Sequence, residues 1–140
     1  MRNTISPCGL YCHVCPLFTA VENESPRQTL AQRMGVPPER AACRGCRAEK
    51  GMPPFMGEPV CPAYVCAVDD KGVEFCYECP DFPCPKLAPV ADRAQELPHN
   101  TEVYNLILLS KRGVEEGMAN AEERGRQYFR AKKLRGDDPV

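Results

Sequence analysis

The chain has 140 residues and a formal net charge of −1. This length predicts one domain, residues 1–140, and the balanced charge provides no general attraction to nucleic acid or to an anionic membrane. No stretch is long and apolar enough to span a bilayer, so we expect no membrane protein. Ten cysteines, fifteen prolines and ten glycines indicate a loop-rich fold that depends on cross-links.

The first twelve residues, MRNTISPCGLYC, lack the apolar core of a signal peptide. We therefore expect a cytoplasmic protein whose thiols stay reduced. In that compartment, closely spaced cysteines favour metal ligands or redox thiols over structural disulfides.

Short helices are predicted in the first third of the chain. A helical turn should follow Cys15, because Pro16 suits a first helical position. Ser25 and Gln28 form a capping-box pattern, which predicts a helix that ends at Gly35. Loops are predicted from there to the last cysteine, with a short hairpin near residues 72–75.

The C-terminal part, residues 86–140, is predicted to be helical and contains no cysteine. A first helix should start at Pro85, and a longer one near Thr101. The longer helix is apolar almost all round in its first turns, which predicts burial, with a protein-binding surface as the alternative. Gly113 and Gly117 are expected to kink or split it.

The ten cysteines form groups with ligand-like spacing. These groups are Cys8-x3-Cys12-x2-Cys15, Cys43-x2-Cys46, Cys61-x4-Cys66 and Cys76-x2-Cys79-x4-Cys84. Two thiolates in one C-x-x-C turn can bind the same ion, and two such turns supply the four ligands of a tetrahedral zinc site. We therefore predict that all ten cysteines are metal ligands and that the chain binds about two zinc ions.

One or two iron–sulfur clusters are the alternative cofactor, because they are also held by four thiolates. Several cysteines precede proline, as the last ligand of a ferredoxin-type run does: Cys15, Cys61, Cys79 and Cys84. No complete ferredoxin-type run is present, so zinc is preferred.

Loop closure predicts how the thiols are shared between two sites, because short separations lose the least entropy. It groups the C-x-x-C turn at Cys43 with Cys61 and Cys66, and the N-terminal thiols with those of residues 76–84. Up to two thiols could then remain free, with Cys8 and Cys84 as the candidates, and a free thiol beside a cation could be reactive. The preferred interpretation is that both are ligands or inert. His13, inside a tight turn, is expected to point outward rather than to bind metal.

These observations predict a small metal-stapled α+β fold, mainly α, in which an irregular zinc-knuckle-like half (residues 1–85) packs on a helical half. A closed four-thiolate site performs no chemistry, which favours a structural or protein-interaction module over an enzyme, with a partner bound through the C-terminal helix. An iron–sulfur redox protein or enzyme with a reactive spare cysteine is the alternative. Nucleic acid is not expected, because Glu122 and Glu123 precede the basic residues 124–135.

The ordered motifs CGLYCxxCP, CxGC, CxxxxCA and KGVEFCYECPDFPC, followed by Pro-Lys-Leu, resemble the cysteine-rich family called domain of unknown function 3795. The resemblance runs from Cys8 into the C-terminal helix and includes all ten cysteines. It implies a bacterial or archaeal family that is frequent in anaerobes, which favours oxygen-sensitive chemistry such as an iron–sulfur cluster. It implies no particular reaction.

Overall fold

The computed structural model describes residues 2–87 and 101–130, with side chains described as far as Gly125. The α-helices in these ranges are α1 (Pro16–Thr19), α2 (Glu24–Met34), α3 (Pro62–Tyr64), α4 (Thr101–Gly117) and α5 (Ala121–Arg130). A π-helical turn, Val65–Asp70, continues α3. The described residues are mainly helical, as predicted, and their β structure is limited to an antiparallel bridge between Ile5 and Tyr11.

Helix α2 ends where the sequence predicts, but it begins earlier. Gly35 closes it with a φ of 66°, in the left-handed region that favours glycine. Asn23 occupies the N-cap position, and Ser25 lies inside the helix, so the capping-box prediction is wrong. The Asn23 amide instead donates to the Thr19 carbonyl at 2.8 Å. The turn after α1 therefore determines where α2 begins.

Residues 62–70 are helical where loops were predicted, and no hairpin forms near residues 72–75. The Lys71 N–H closes the π-helical turn on the Cys66 carbonyl at 3.1 Å. The Val73 N–H then donates to the Ala67 carbonyl at 2.8 Å. These residues end a helical turn, which leaves them unable to pair as strands.

One hydrophobic core joins the cysteine-rich part to the helical part. Ile5 and Phe75 from the first part are fully buried and pack with Leu106 and Leu109 of α4. Leu87, Met118 and Ala121 complete this core. The two parts therefore pack against each other as predicted.

Helix α4 is buried on one face, although the sequence predicted burial almost all round. Leu106 and Leu109 are 0% and 2% exposed, whereas Tyr104 and Ile107 are 53% and 44% exposed. The core described above lies on a single side of α4, which leaves the opposite face without it. Gly113, with a φ of 74° and a ψ of 179°, breaks the helix as predicted.

The helix predicted from Pro85 begins as a 3-10 turn, Pro85–Leu87, and its continuation lies outside the described residues. No helix in residues 2–87 and 101–130 combines the length and the apolar character that crossing a membrane requires.

Candidate functional site

Thiols from two C-x-x-C turns meet beside α1. We call them the first thiol cluster: Cys12, Cys15, Cys43 and Cys46. Cys12 and Cys46 are close enough to influence each other's ionisation, and Cys43 interacts electrostatically with Cys12 and Cys15. The Cys43 N–H donates to the Leu17 carbonyl at 3.0 Å, which holds the second turn against α1.

Gly45 gives the second C-x-x-C turn its backbone conformation beside Cys12. Its φ is 98°, and its N–H donates to the Cys43 sulfur at 3.4 Å. A Cβ atom at this position would lie 3.4 Å from Cys12 Cβ and 3.5 Å from Cys12 Sγ. The N–H donor favours the thiolate form of Cys43. Since a Cβ atom at these distances would be in ordinary contact with Cys12, glycine is required here by its positive φ.

The thiols of the first cluster differ in how easily they lose a proton. The side-chain interaction with Cys46 lowers the pKa of Cys12 to about 7, with a further contribution from the Arg47 guanidinium. The same interaction raises the pKa of Cys46. Burial raises the pKa of Cys43 to about 11. Deprotonation of the whole set therefore needs a compensating positive charge, which a bound cation would supply.

Arg47 connects the first cluster to the core. Its guanidinium donates to the carbonyls of Ile5 at 2.8 Å and Glu74 at 2.6 Å, and lies 5.1 Å from the centroid of the Phe75 ring. A fixed positive charge is thus held beside Cys12. Sequence reasoning missed this residue, and the available signal was a basic residue directly after a C-x-x-C turn.

A further set of thiols lines one small cavity. We call them the second thiol cluster: Cys66, Cys76, Cys79 and Cys84. The cavity measures about 20 Å³, which is enough for roughly one water-sized particle. Cys76 interacts electrostatically with the other three thiols, and burial raises its pKa to about 11.

Local hydrogen bonds shape the loop that carries the second cluster. The Cys79 N–H donates to the Cys76 carbonyl at 3.1 Å, and the Asp81 N–H donates to the Cys79 sulfur at 3.4 Å. Lys71 forms an ion pair with Asp81 at 2.8 Å and thereby lowers the pKa of this carboxyl. Asp81 therefore lies in the turn that follows Cys79.

The thiols are grouped differently from the prediction. The C-x-x-C turn at Cys43 joins the N-terminal turn rather than Cys61 and Cys66. Cys66 lies in the second cluster with Cys84, one of the two candidates for a free thiol. Cys8 does not line the cavity of the second cluster, and it interacts electrostatically with Cys46 of the first. All ten cysteines are free thiols, and within the described ranges no three His, Cys, Asp or Glu side chains lie at a spacing that could hold a metal ion.

A third set, which we call the bridging group, consists of Cys8, Cys61 and Glu102. The Cys8 sulfur lies 3.0 Å from Ser6 Oγ, and the Glu102 carboxyl is close enough to interact with it electrostatically. Cys61 is close enough to act on Cys8 electrostatically. Burial raises the pKa of Glu102 to about 7, and burial and the Glu102 charge together raise that of Cys8. Sequence reasoning missed Glu102, because an acidic residue in the first turn of a helix is usually explained by the helix dipole.

Gly9 brings the opening CGLYC loop into contact with α4. Its φ is 89°, and a Cβ atom there would lie 2.7 Å from the Glu102 carbonyl oxygen and 2.8 Å from Leu106 Cγ. Asn105 Nδ2 donates to the Gly9 carbonyl at 2.9 Å, and Arg124 Nε donates to Asn105 Oδ1 at 2.9 Å. Both α4 and α5 thus contribute to the position of this loop.

His13 is exposed, as the sequence predicts. Its ring lies between those of Tyr11 and Phe18, with centroid distances of 5.9 Å and 5.7 Å. These ring contacts contribute to the orientation of the imidazole.

Comparison with known proteins identifies one protein family. The family described as Protein of unknown function (DUF3795) matches residues 4–89. This match includes all ten cysteines and ends before α4, so it is shorter than the expected resemblance, and Glu102 lies beyond it. No curated protein and no solved structure matches the chain. Because the family match covers more than half of its residues, the chain belongs to this family.

Proposed function

We propose that the protein is a cytoplasmic zinc-binding module with two four-thiolate sites, one at each thiol cluster. The ions would hold the loop-rich part together, and α4 would present a surface to a protein partner. The observation that carries the proposal is the sorting of thiols into two sets of four, each of which includes a C-x-x-C turn. Two such turns are the usual source of ligands for a structural zinc site.

The first cluster has the donor set that zinc requires. Zinc–sulfur bonds of roughly 2.3 Å place the sulfurs of a tetrahedral site roughly 3.8 Å apart. The mutual effect of Cys12 and Cys46 on their ionisation supports a close approach of these two sulfurs. Since no three His, Cys, Asp or Glu side chains of residues 2–87 and 101–125 lie at ligand spacing, side-chain rotation at Cys15 and Cys43 would have to complete the tetrahedron.

The size of the cavity at the second thiol cluster favours a single ion over an iron–sulfur cluster. A space of about 20 Å³ accommodates roughly one water-sized particle, whereas a cluster brings several iron and sulfide atoms. An iron–sulfur cluster remains the competing proposal, because it uses the same four-thiolate sets.

Closed four-thiolate sites have no coordination position for a substrate, which supports a scaffold rather than an enzyme. The partner surface is proposed at the exposed face of α4. Tyr104 and Ile107 are 53% and 44% exposed there, and residues three apart lie on the same face of a helix.

Metal content measured on protein purified without air tests the proposal. Colourless protein with about two zinc ions per chain is expected. Brown protein that contains iron and labile sulfide would contradict it. Cys12→Ser and Cys76→Ser should each remove one ion, and the double variant should remove both. Each single variant is the control for the other, and loss of both ions from either one would contradict the grouping.

The partner surface is tested separately. Proteins cross-linked to Ile107→Lys in cells are compared with those cross-linked to Gln28→Lys, which adds the same side chain at an exposed position of α2. A partner present with the wild type and Gln28→Lys, and absent with Ile107→Lys, is expected. The same set of proteins with both variants would contradict a role of this face.

A further inference from the structure

We propose that a groove beside α1 is a binding site for a small molecule that carries an aromatic ring and a single carboxylate. The groove has a volume of about 550 Å³, which lies within the range of roughly 300–1,000 Å³ that is usual for ligand pockets. This site goes beyond the structural module proposed above and does not depend on which ions the thiols bind. Its lining includes His13, Phe18, Thr19, Glu22, Asn23 and Arg44.

The groove lies where the two C-x-x-C turns of the first thiol cluster meet α1. His13 of the N-terminal turn and Arg44 of the second turn both line it. The other lining residues lie within residues 18–23, which run from α1 to the N-cap of α2. The Cys43 N–H donates to the Leu17 carbonyl at 3.0 Å and holds the second turn against α1. Side chains from three separate segments therefore converge on one space.

Hydrogen bonds hold the walls of the groove in place. Thr19 Oγ1 donates to the Pro16 carbonyl at 2.9 Å, and Asn23 Nδ2 donates to the Thr19 carbonyl at 2.8 Å. The Arg44 N–H donates to Glu49 Oε1 at 3.0 Å, which fixes the backbone from which the Arg44 side chain extends. Because these segments are already ordered, a ligand would not have to order them on binding, which lowers the entropic cost.

Two neighbouring rings in the lining favour a ligand with an aromatic ring. The ring centroids of His13 and Phe18 are 5.7 Å apart, and the angle between the two ring planes is 58°. An aromatic ring of a ligand could stack on these rings or meet them edge to face, which are the arrangements that aromatic pairs prefer. A saturated ring of the same size would lack this contribution. The rings therefore select an aromatic body over an aliphatic one.

Arg44 provides the positive charge that selects a carboxylate. Its guanidinium has no hydrogen-bond or ion-pair partner among residues 2–87 and 101–125, and this planar group can bind a carboxylate through two parallel hydrogen bonds. Among the described lining residues, Arg44 and Glu22 carry the permanent charges. Because the Glu22 carboxylate repels further negative charge, the groove favours a monocarboxylate over a doubly charged phosphate ester.

A solvated groove that binds no ligand is the competing explanation, and titration with a probe separates the two. 2-Naphthoate is added to the full-length ¹⁵N-labelled protein as purified, and the backbone amide chemical shifts are followed. We expect shifts concentrated at the residues that line the groove. 2-Naphthyl phosphate adds negative charge, and decahydro-2-naphthoate replaces the aromatic rings with saturated ones. Both analogues should bind more weakly than 2-naphthoate.

Variants test the assigned contacts. Arg44→Gln should raise the dissociation constant of 2-naphthoate by at least about tenfold, because hydrogen bonds between two charged groups are lost. Phe18→Leu should raise it by roughly two- to tenfold, because an aromatic contact is lost. Arg33→Gln removes the same charge from an exposed position of α2 outside the groove and should leave the dissociation constant unchanged. The amide spectrum of each variant shows whether it is folded.

Three results would overturn the proposal. The first is the absence of shifts with 2-naphthoate, or shifts that centre on residues outside the groove. The second is a folded Arg44→Gln variant with wild-type affinity, because the guanidinium would then not hold the carboxylate. The third is equal or tighter binding of either analogue, which would contradict the assigned class of ligand. The zinc content tests the structural module separately.

Discussion

Replacing Gly9 with alanine is expected to separate the opening loop from α4. The φ of 89° is costly for a residue with a side chain, by roughly 1–2 kcal/mol. The new methyl group would also lie 2.7 Å from the Glu102 carbonyl oxygen and 2.8 Å from Leu106 Cγ, and overpacking of this kind costs roughly 1–3 kcal/mol. Together these effects should lower the free energy of unfolding by about 2–5 kcal/mol.

Urea unfolding of the metal-loaded protein, followed by circular dichroism, measures this loss. Gly35→Ala is the matched control, because Gly35 has a φ of 66° but no atom within 4 Å of the added methyl group. The control should lose only the backbone contribution, about 1–2 kcal/mol. Equal losses in the two variants would refute the conclusion that the contact with α4 makes Gly9 necessary.

Three further predictions follow from the packing and the proposed ions. Gly125→Ala should destabilise the protein because the added methyl group would collide with Val14, although alanine is the better helix former by about 1 kcal/mol. Thermal unfolding measures the loss of stability, and a higher melting temperature than that of the wild type would contradict the prediction. Arg47→Met should lower the free energy of unfolding by about 2–4 kcal/mol, because two carbonyls and the Phe75 ring lose their partner, whereas the exposed Arg44→Met should change it by less than about 0.5 kcal/mol in the same urea experiment. Chelation should abolish hydrogen-exchange protection in residues 2–87, since structural zinc modules commonly unfold without metal; near-native protection after metal removal would show that the ions are not needed for folding.

Local signals in the sequence predicted the ends of helices better than their beginnings or their burial. Gly35 ends α2 because glycine adopts the left-handed conformation and two prolines follow. Ser25 predicted the wrong first residue for α2, because the hydrogen bond from Asn23 to α1 is a tertiary contact that local sequence does not reveal. The exposure of Tyr104 and Ile107 likewise depends on how many sides of α4 pack against the core. A run of apolar residues in the sequence does not specify that number.

The sequence could not predict which thiols group together, because the energies that decide the grouping are of similar size. The segment between Cys15 and Cys43 is roughly twice as long as that between Cys46 and Cys61, but doubling a loop costs only about 0.6 kcal/mol. The hydrogen bond from Cys43 to the Leu17 carbonyl is worth a similar amount, about 0.5–1.5 kcal/mol. Ligand spacing identified the candidate residues, but loop length could not select their partners.

The position of each thiol cluster along the chain determines an order of assembly during synthesis. The first cluster is complete when Cys46 has left the ribosome, and the second when Cys84 has followed. Along the chain, the residues of the first cluster all precede those of the second. An ion bound early by the first cluster would therefore not capture a ligand that the second cluster needs. The bridging group differs, because Glu102 emerges last and joins Cys8, one of the earliest residues. Its formation would therefore mark the moment at which the C-terminal helices have docked.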